Sequence, residues 1–162
     1  MDVRPAEEAE LDHLATIWFE AWQDAHAAIV PAALARVRTW KSFRQRLHAA
    51  LPNMRVVTVS GVAVGFSIVK GDELDQLFVS EPSRGTGAAA ALLADAEARL
   101  AEAGVETAWL ACAIGNHRAA RFYEKHGWSL IGMMINELDT PNGTFPLEVW
   151  RYEKSLSHPE RS

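Results

Sequence analysis

A chain of 162 residues, 49% hydrophobic and 23% charged, has the size and balance of one globular domain, so residues 1–162 are expected to share a single core. The formal charge of −5 offers no extended basic surface, which argues against a nucleic-acid binder. No apolar run reaches transmembrane length, the start Met1-Asp2 is unlike a signal peptide, and the lone Cys112 forms no internal disulfide; these point to a cytoplasmic protein with no membrane partner.

Residues 2–4 read as a short edge strand ended by Pro5. From about 7 to 27, Leu11, Leu14, Ala15, Trp18, Ala21 and Trp22 recur at helical spacing. Pro31 suits the first position of a second helix, with an apolar face of Leu34, Val37, Trp40, Phe43 and Leu47 and an end at Pro52. Three β-rich runs follow, 55–60, 62–70 and 73–79, separated by Ser60-Gly61 and Gly71-Asp72. Such breaks are hairpin signals, so the runs predict an antiparallel meander. An alanine-rich helix is predicted over 87–103, stopped by Gly104. A strand over 107–113 comes next, then a short helix opened by Gly115-Asn116 and closed by Gly127 after His126. Strands over 128–138 and 145–154 flank a turn from Asp139 to Gly143, and a frayed polar tail is expected from Ser155.

Three consecutive hairpin strands exclude a doubly wound fold. The unit from strand 73–79 through helix 87–103 to strand 107–113 is a right-handed crossover, so those two strands should run parallel. The fold class is therefore mixed α/β: a twisted, mostly antiparallel sheet with helices on both faces.

The segment Arg84-Gly85-Thr86-Gly87-Ala88-Ala89-Ala90 lies where a loop becomes a helix. The first amides of a helix have no internal partner and point outward at the positive end of its dipole, a ready phosphate site. Arg84 adds a permanent cation. Three readings compete. The loose dinucleotide pattern G-x-G-x-x-A fits Gly85, Gly87 and Ala90, but five residues separate strand from glycine and no acidic residue ends the next strand. A helix start where small residues only allow close packing is the plainest reading. The third is a pyrophosphate cradle of the form Arg/Gln-x-x-Gly-x-Gly/Ala, matched by Arg84, Gly87 and Ala89.

Wider context favours the third. Leu-Phe-Val-Ser-Glu-Pro-Ser-Arg-Gly-Thr-Gly (77–87) and Asn-His-Arg-Ala-Ala-Arg-Phe-Tyr-Glu-Lys-His-Gly-Trp (116–128) closely resemble the GNAT superfamily of N-acetyltransferases, the first its cofactor strand and pyrophosphate loop, the second its Asn-x-x-Ala-x-x-Phe-Tyr-Glu-Lys-x-Gly-Phe/Trp motif. The resemblance is sharpest over 55–132. It implies acetyl-CoA as cofactor, lying where strands 73–79 and 107–113 splay apart. Main-chain groups of Leu77, Phe78 and Val79 would pair with the pantetheine arm, and a bulge near Phe78–Val79 would free an amide for the thioester carbonyl. Amides of Gly85, Thr86, Gly87, Ala88 and Ala89 would meet the pyrophosphate.

The same resemblance gives Asn116 a hydrogen bond to the pantetheine arm, although an N-cap role explains it equally well. It makes Tyr123, two turns further on, the acid that protonates the departing thiolate; a packed ring is the alternative. Glu73 stands where many relatives place a carboxylate base. Period-two alternation puts Asp75, ranked second, on the same face as Glu73 and Leu77. His26 and His117 are conceivable bases, with structural roles as the alternative. Cys112 invites an acetyl-enzyme idea, set against the plainer role of a small buried residue. Trp18, Trp22, His26, Trp40 and the turn near Asn142 are candidates for the acceptor wall, and the acidic balance favours a cationic acceptor.

The expectation is an N-acetyltransferase acting on a primary amine of a small molecule or peptide by direct attack in a ternary complex, without a metal. Family members are often homodimers. A CoA-binding module without turnover is the alternative of a different class, and a dinucleotide-binding oxidoreductase is set aside on topology.

Overall fold

In the computed structural model, which describes residues 1–26 and 28–156, seven strands form one sheet in the order β1-β2-β3-β4-β5-β7-β6. They are β1 (Asp2–Pro5), β2 (Met54–Val59), β3 (Val62–Lys70), β4 (Glu73–Val79), β5 (Thr107–Ala113), β6 (Ser129–Thr140) and β7 (Gly143–Ser155). All neighbours are antiparallel except β4 and β5. The β2–β3 connection carries positive φ at both Ser60 (53°) and Gly61 (81°), the demand of the two-residue turn that matches strand twist.

The expected helix from residue 7 opens as a 3-10 turn at Glu8–Glu10 and continues as α1 (Leu11–Ala25). Arg4 fastens it to β1 through a forked pair on Glu10 at 2.9 and 2.7 Å. The expected end at Ala27 lies outside the described residues. The single helix expected from Pro31 to Pro52 is in fact two, α2 (Ala32–Val37) and α3 (Trp40–Ala50). Thr39 is the reason: it is extended (φ −93°, ψ 166°), and its hydroxyl accepts from the Ser42 amide at 3.2 Å, capping α3. On the other side of the chain's midpoint, α4 spans Ala88–Glu102 and α5 His117–Lys125. The last hairpin is longer than expected, so Asp139, Thr140 and Gly143 belong to strands. Ser155, expected to begin the tail, ends β7; the tail from residue 157 lies outside the described residues.

Two apolar layers sandwich the sheet. On one face Trp18 of α1 packs between Phe43 of α3 (4.6 Å between centroids) and Phe66 of β3 (5.1 Å), with Leu11, Leu14 and Leu47 fully buried. Each such side chain contributes roughly 1.5–3 kcal/mol relative to exposure. On the other face Leu92, Leu93, Ala96 and Leu100 of α4 cover the strands, joined by Ala120 and Tyr123 of α5. Alanine at positions 88 and 96, both without exposed surface, lets α4 sit close on the sheet.

The parallel pair is where the sheet fails. β4 and β5 share a single matched pair, Glu73 with Trp109, beside a hydrogen bond from the Trp109 amide to the Asp72 carbonyl at 3.1 Å. Beyond it β5 runs with β7 over its whole length, from Thr107–Ser155 to Ala113–Val149 in register. β4 is left with one edge open.

Candidate active site

The open edge forms the inner wall of a cleft of about 890 Å³, at the upper end of the usual range for ligand sites. Which backbone groups it offers follows from the β3–β4 ladder. The Ser80 amide donates to the Val64 carbonyl at 2.8 Å, and Phe66 faces Phe78 two residues along. Antiparallel pairs alternate between bonded and non-bonded. The main chain of Phe78 is therefore turned to β3, and the amides and carbonyls of Leu77 and Val79 are turned into the gap. Of the three residues named from the sequence, Leu77 and Val79 thus have main-chain groups without a β3 partner and Phe78 does not.

The bulge is displaced from its expected place. Pairing is continuous through Phe78 and Val79, and the register shifts between Val69–Leu74 and Ile68–Gln76, which makes Asp75 the extra residue. An extra residue resets the alternation of side chains. Leu77 consequently packs with the α4 layer, opposite to the expectation that it shares a face with Glu73 and Asp75, while Phe78 joins the α1–α3 layer. The free amides do not depend on a bulge, because the missing β5 partner already exposes them.

At one end of the cleft stands the glycine loop. Gly85 (φ 79°) and Gly87 (φ 92°) are both left-handed, a conformation that side-chain-bearing residues adopt at a cost. Arg84, Gly85, Gly87, Ala89 and Ala90 line the cleft; Thr86 and Ala88 do not. The Thr86 hydroxyl is occupied, donating to the Ser83 carbonyl at 2.5 Å and accepting from the Ala88 amide at 3.4 Å. Arg84 is held at 3.6 Å from Asp24 of α1. The amides of Gly85, Gly87, Ala89 and Ala90 carry no hydrogen bond among the described residues, which leaves a row of donors at the positive end of α4.

α5 brings two candidates to the opposite wall. The Asn116 side chain caps the helix, accepting from the Ala119 amide at 3.3 Å, and also lines the cleft. Tyr123 is 8% exposed, yet its hydroxyl makes no hydrogen bond among the described residues. Tyr152, by contrast, donates to Glu124 Oε2 at 2.6 Å. A buried phenol normally finds a partner; the Tyr123 hydroxyl, on a residue that lines the cleft, lacks one among the described residues. Burial, and then the neighbouring Cys112, push the Tyr123 pKa upward, keeping it protonated.

Glu73 and Asp75 both line the cleft. Burial, with the adjacent Asp75 charge second, lifts the Glu73 carboxyl to about 7. Burial also raises Asp75, against the opposing pull of Arg46. His26 lies on the wall, stacked on Trp22, with its Nδ1 buried and unpartnered. Burial and Arg118 lower it to about 4, which makes it a weak base. His117 packs on Trp150 outside the cleft. Cys112 is 4% exposed and does not line the cleft, its thiol pushed up to about 12 by burial, so it offers no thiolate. Of the aromatic candidates Trp18 and Trp22 line the cleft. Trp40 instead donates to the Thr16 hydroxyl at 3.0 Å on the surface, and Leu138 and Asp139 take the place foreseen for the Asn142 turn.

Among the wall residues that had no place in the sequence reading are two arginines of the α2–α3 side, Arg38 and Arg46. A signal existed for Arg46: it lies three residues after Phe43 and one before Leu47, on the apolar side of α3. Its guanidinium lies over the rings of Trp18 (4.6 Å) and Phe43 (5.6 Å).

A model of the acetyltransferase (GNAT) family matches residues 11–128. An uncharacterized N-acetyltransferase of Mycobacterium bovis is 36% identical over 88 residues, covering 50% of this chain and 56% of that protein, and one of Mycobacterium tuberculosis matches equally; the chain thus spans about half the length of these relatives. Among solved structures, a GCN5-related N-acetyltransferase from Rhodopseudomonas palustris superimposes with a TM-score of 0.74 at 22% identity, covering 96% of this chain and 95% of that one. The PaiA N-acetyltransferase of Thermoplasma acidophilum, solved in complex with coenzyme A, gives 0.69 at 16% identity over 95% and 98%.

Proposed function

The chain belongs to the acetyltransferase (GNAT) family, in which acetyl transfer from acetyl-CoA is general, and on that premise we propose that it transfers the acetyl group to a primary amine in a ternary complex. The observation that carries the reading is the opened β4 edge: free Leu77 and Val79 backbone groups in a cleft that also holds Glu73, Tyr123 and the glycine loop.

Those residues suit acetyl-CoA. Pantetheine is a run of amides that can pair with Leu77 and Val79 as an added strand, and Asn116 can supply one further bond. The free amides of Gly85, Gly87, Ala89 and Ala90, with Arg84, suit a pyrophosphate. Acetyl-CoA supplies a thioester with an electrophilic acyl carbon and a thiol leaving group. Glu73, with a pKa of about 7, takes the proton from the acceptor ammonium, directly or through water; a base near working pH is the efficient one. Its carboxylate also holds that nitrogen in line. The Leu77 amide, nearer Glu73 along β4 than Val79, donates to the carbonyl oxygen as negative charge develops there. As the C–N bond forms and the C–S bond breaks, Tyr123 gives its proton to sulfur and recovers one from the solvent side of the cleft. Proton count closes: two leave nitrogen, one from the ammonium before attack and one from the tetrahedral adduct, both by way of Glu73 and water; sulfur gains one through Tyr123, and the net excess of one goes to solvent. Cys112, protonated and buried, takes no part.

The remaining assignments follow the same reading. The acceptor is a small molecule or peptide amine at the Trp18–Glu73 end, and a reducing cytoplasm suits the single thiol. A homodimer would bury the exposed apolar row Ile131, Met133 and Ile135 of the terminal strand β6. Calorimetry against acetyl-CoA and NADH, followed by thiol release over an amine panel, tests the function. Acetyl-CoA should bind and release thiol only with an amine present. Binding of NADH alone would sink the reading, and binding without turnover would leave a CoA-binding module.

A further inference from the structure

Among the described residues, the arginines divide cleanly. Arg4, Arg44, Arg55, Arg84, Arg99 and Arg151 each have a carboxylate within ion-pair distance. Arg36, Arg118 and Arg121 are exposed, where water serves as partner. Arg38 and Arg46 are neither. Arg38 is 3% exposed and donates to the Asp139 main-chain carbonyl at 2.7 Å. Arg46 is partly buried against Trp18 and has no hydrogen bond and no ion pair. Both line the cleft, close enough for each charge to act on the other.

Two guanidinium groups near enough for their charges to interact, with up to ten N–H donors between them by residue type, are costly to desolvate without an acceptor. The nearest negative charges that act on them are Asp75 and Asp139, and neither approaches within 4 Å. On the facing strand, Glu73 and Asp75 are partly buried carboxylates that also lack ion pairs, with Lys70 acting on them from a distance. The acceptor end is thus bipolar, with cations on the α2–α3 side and carboxylates on β4, not paired with one another. Its cations lie away from the glycine loop, whose own arginine pairs with Asp24.

We propose that Arg38 and Arg46 form a carboxylate site at the acceptor end of the cleft, so that the acceptor is an amino-acid-like zwitterion. Its ammonium lies at Glu73 and Asp75 and its carboxylate at the two guanidinium forks, which match a planar anion in a way a lysine does not. Trp18, under Arg46, holds the fork flat. The inference rests on the acetyltransferase reading of the same cleft and replaces the cationic acceptor expected from net charge with one that carries both signs.

The test pairs each L-amino acid with its own carboxamide, which keeps the amine and side chain and removes the anion. With acetyl-CoA binding first checked by calorimetry, kcat/KM is measured by thiol release. The best amino acid should exceed its carboxamide by at least about tenfold, the worth of a charge-assisted pair. Arg46→Gln should bring that ratio toward one, and Arg46→Lys should leave it between the two. Carboxamides equal to or better than the acids, turnover confined to simple amines, or a ratio unchanged in Arg46→Gln would each overturn the site while leaving the acetyltransferase reading intact. Failure of acetyl-CoA to bind would remove both. The wild-type ratio decides the matter even if a variant fails to fold.

Discussion

Glu73 should cost the fold stability that the reaction requires, and the cost should switch on with pH. Its carboxyl rises from 4.5 to about 7 through burial and the neighbouring Asp75 charge. Below the unfolded value the group is neutral in both states and no penalty exists. As pH rises the unfolded chain releases the proton first, so native stability falls until the folded group also ionises near pH 7, and the loss is complete above it. The difference of about 2.5 units corresponds to about 3 kcal/mol at full effect, at about 1.4 kcal/mol per unit. Partial exposure reduces this to about 1–2 kcal/mol after screening. Glu73→Gln, isosteric and uncharged, should therefore match wild type near pH 4, below the unfolded value, and melt roughly 3–6 °C higher at pH 8.5, using the sensitivity of a chain this size. The same variant should lose about a hundredfold or more in kcat/KM, and the wild-type rate should climb through pH 7. Calorimetric melting at the two pH values checks this. A variant with equal Tm gain at both, or no gain at pH 8.5, would refute the burial argument.

Three further outcomes follow from the geometry. Tyr123→Phe should keep acetyl-CoA affinity within about twofold and lower kcat by about a hundredfold; an unchanged kcat would mean that another group protonates the thiolate. Gly87→Glu places a charge and a left-handed side chain at the start of α4 (φ 92°); it should weaken acetyl-CoA binding in calorimetry by more than tenfold, with a stability loss of about 1–2 kcal/mol for the strain. Gly65→Ala, on β3, would drive its Cβ into the Phe78 carbonyl oxygen; denaturant unfolding should show a loss above about 2 kcal/mol, because β3 and β4 must part to admit it.

Element order was readable because glycines and prolines punctuate this chain. Ser60-Gly61, Gly71-Asp72, Gly104 and Gly127 each fall between elements, and strands 62–70, 73–79 and 107–113 stand as read. The break at Arg38–Thr39 was not readable from periodicity, since Leu34, Val37, Trp40 and Phe43 continue one helical pattern across it; only the capping capacity of Thr39 marked it. The bulge at Asp75 had no local signal, as no glycine or proline interrupts β4, yet it reverses the side of Leu77. Tyr123 was singled out by its motif, and the structure adds the physical distinction from Tyr152, whose hydroxyl Glu124 occupies. Arg38 carried no signal and Arg46 only its place on the apolar side of α3, because what distinguishes both is the absence of a charged partner, a property of three-dimensional neighbours. The burial that lifts Glu73 is likewise a tertiary quantity.

The central claim, direct transfer across the β4–β5 gap, is tested most directly by a single turnover with acetyl-CoA radiolabelled in the acetyl group. Protein in excess is mixed with the labelled thioester, with and without an accepted amine, and quenched at intervals. Label should pass to the amine only when both substrates are present, at the rate of thiol release, and none should appear on the protein at any time, since Cys112 is sealed and protonated. Label appearing on the protein before the amine is added would contradict direct transfer.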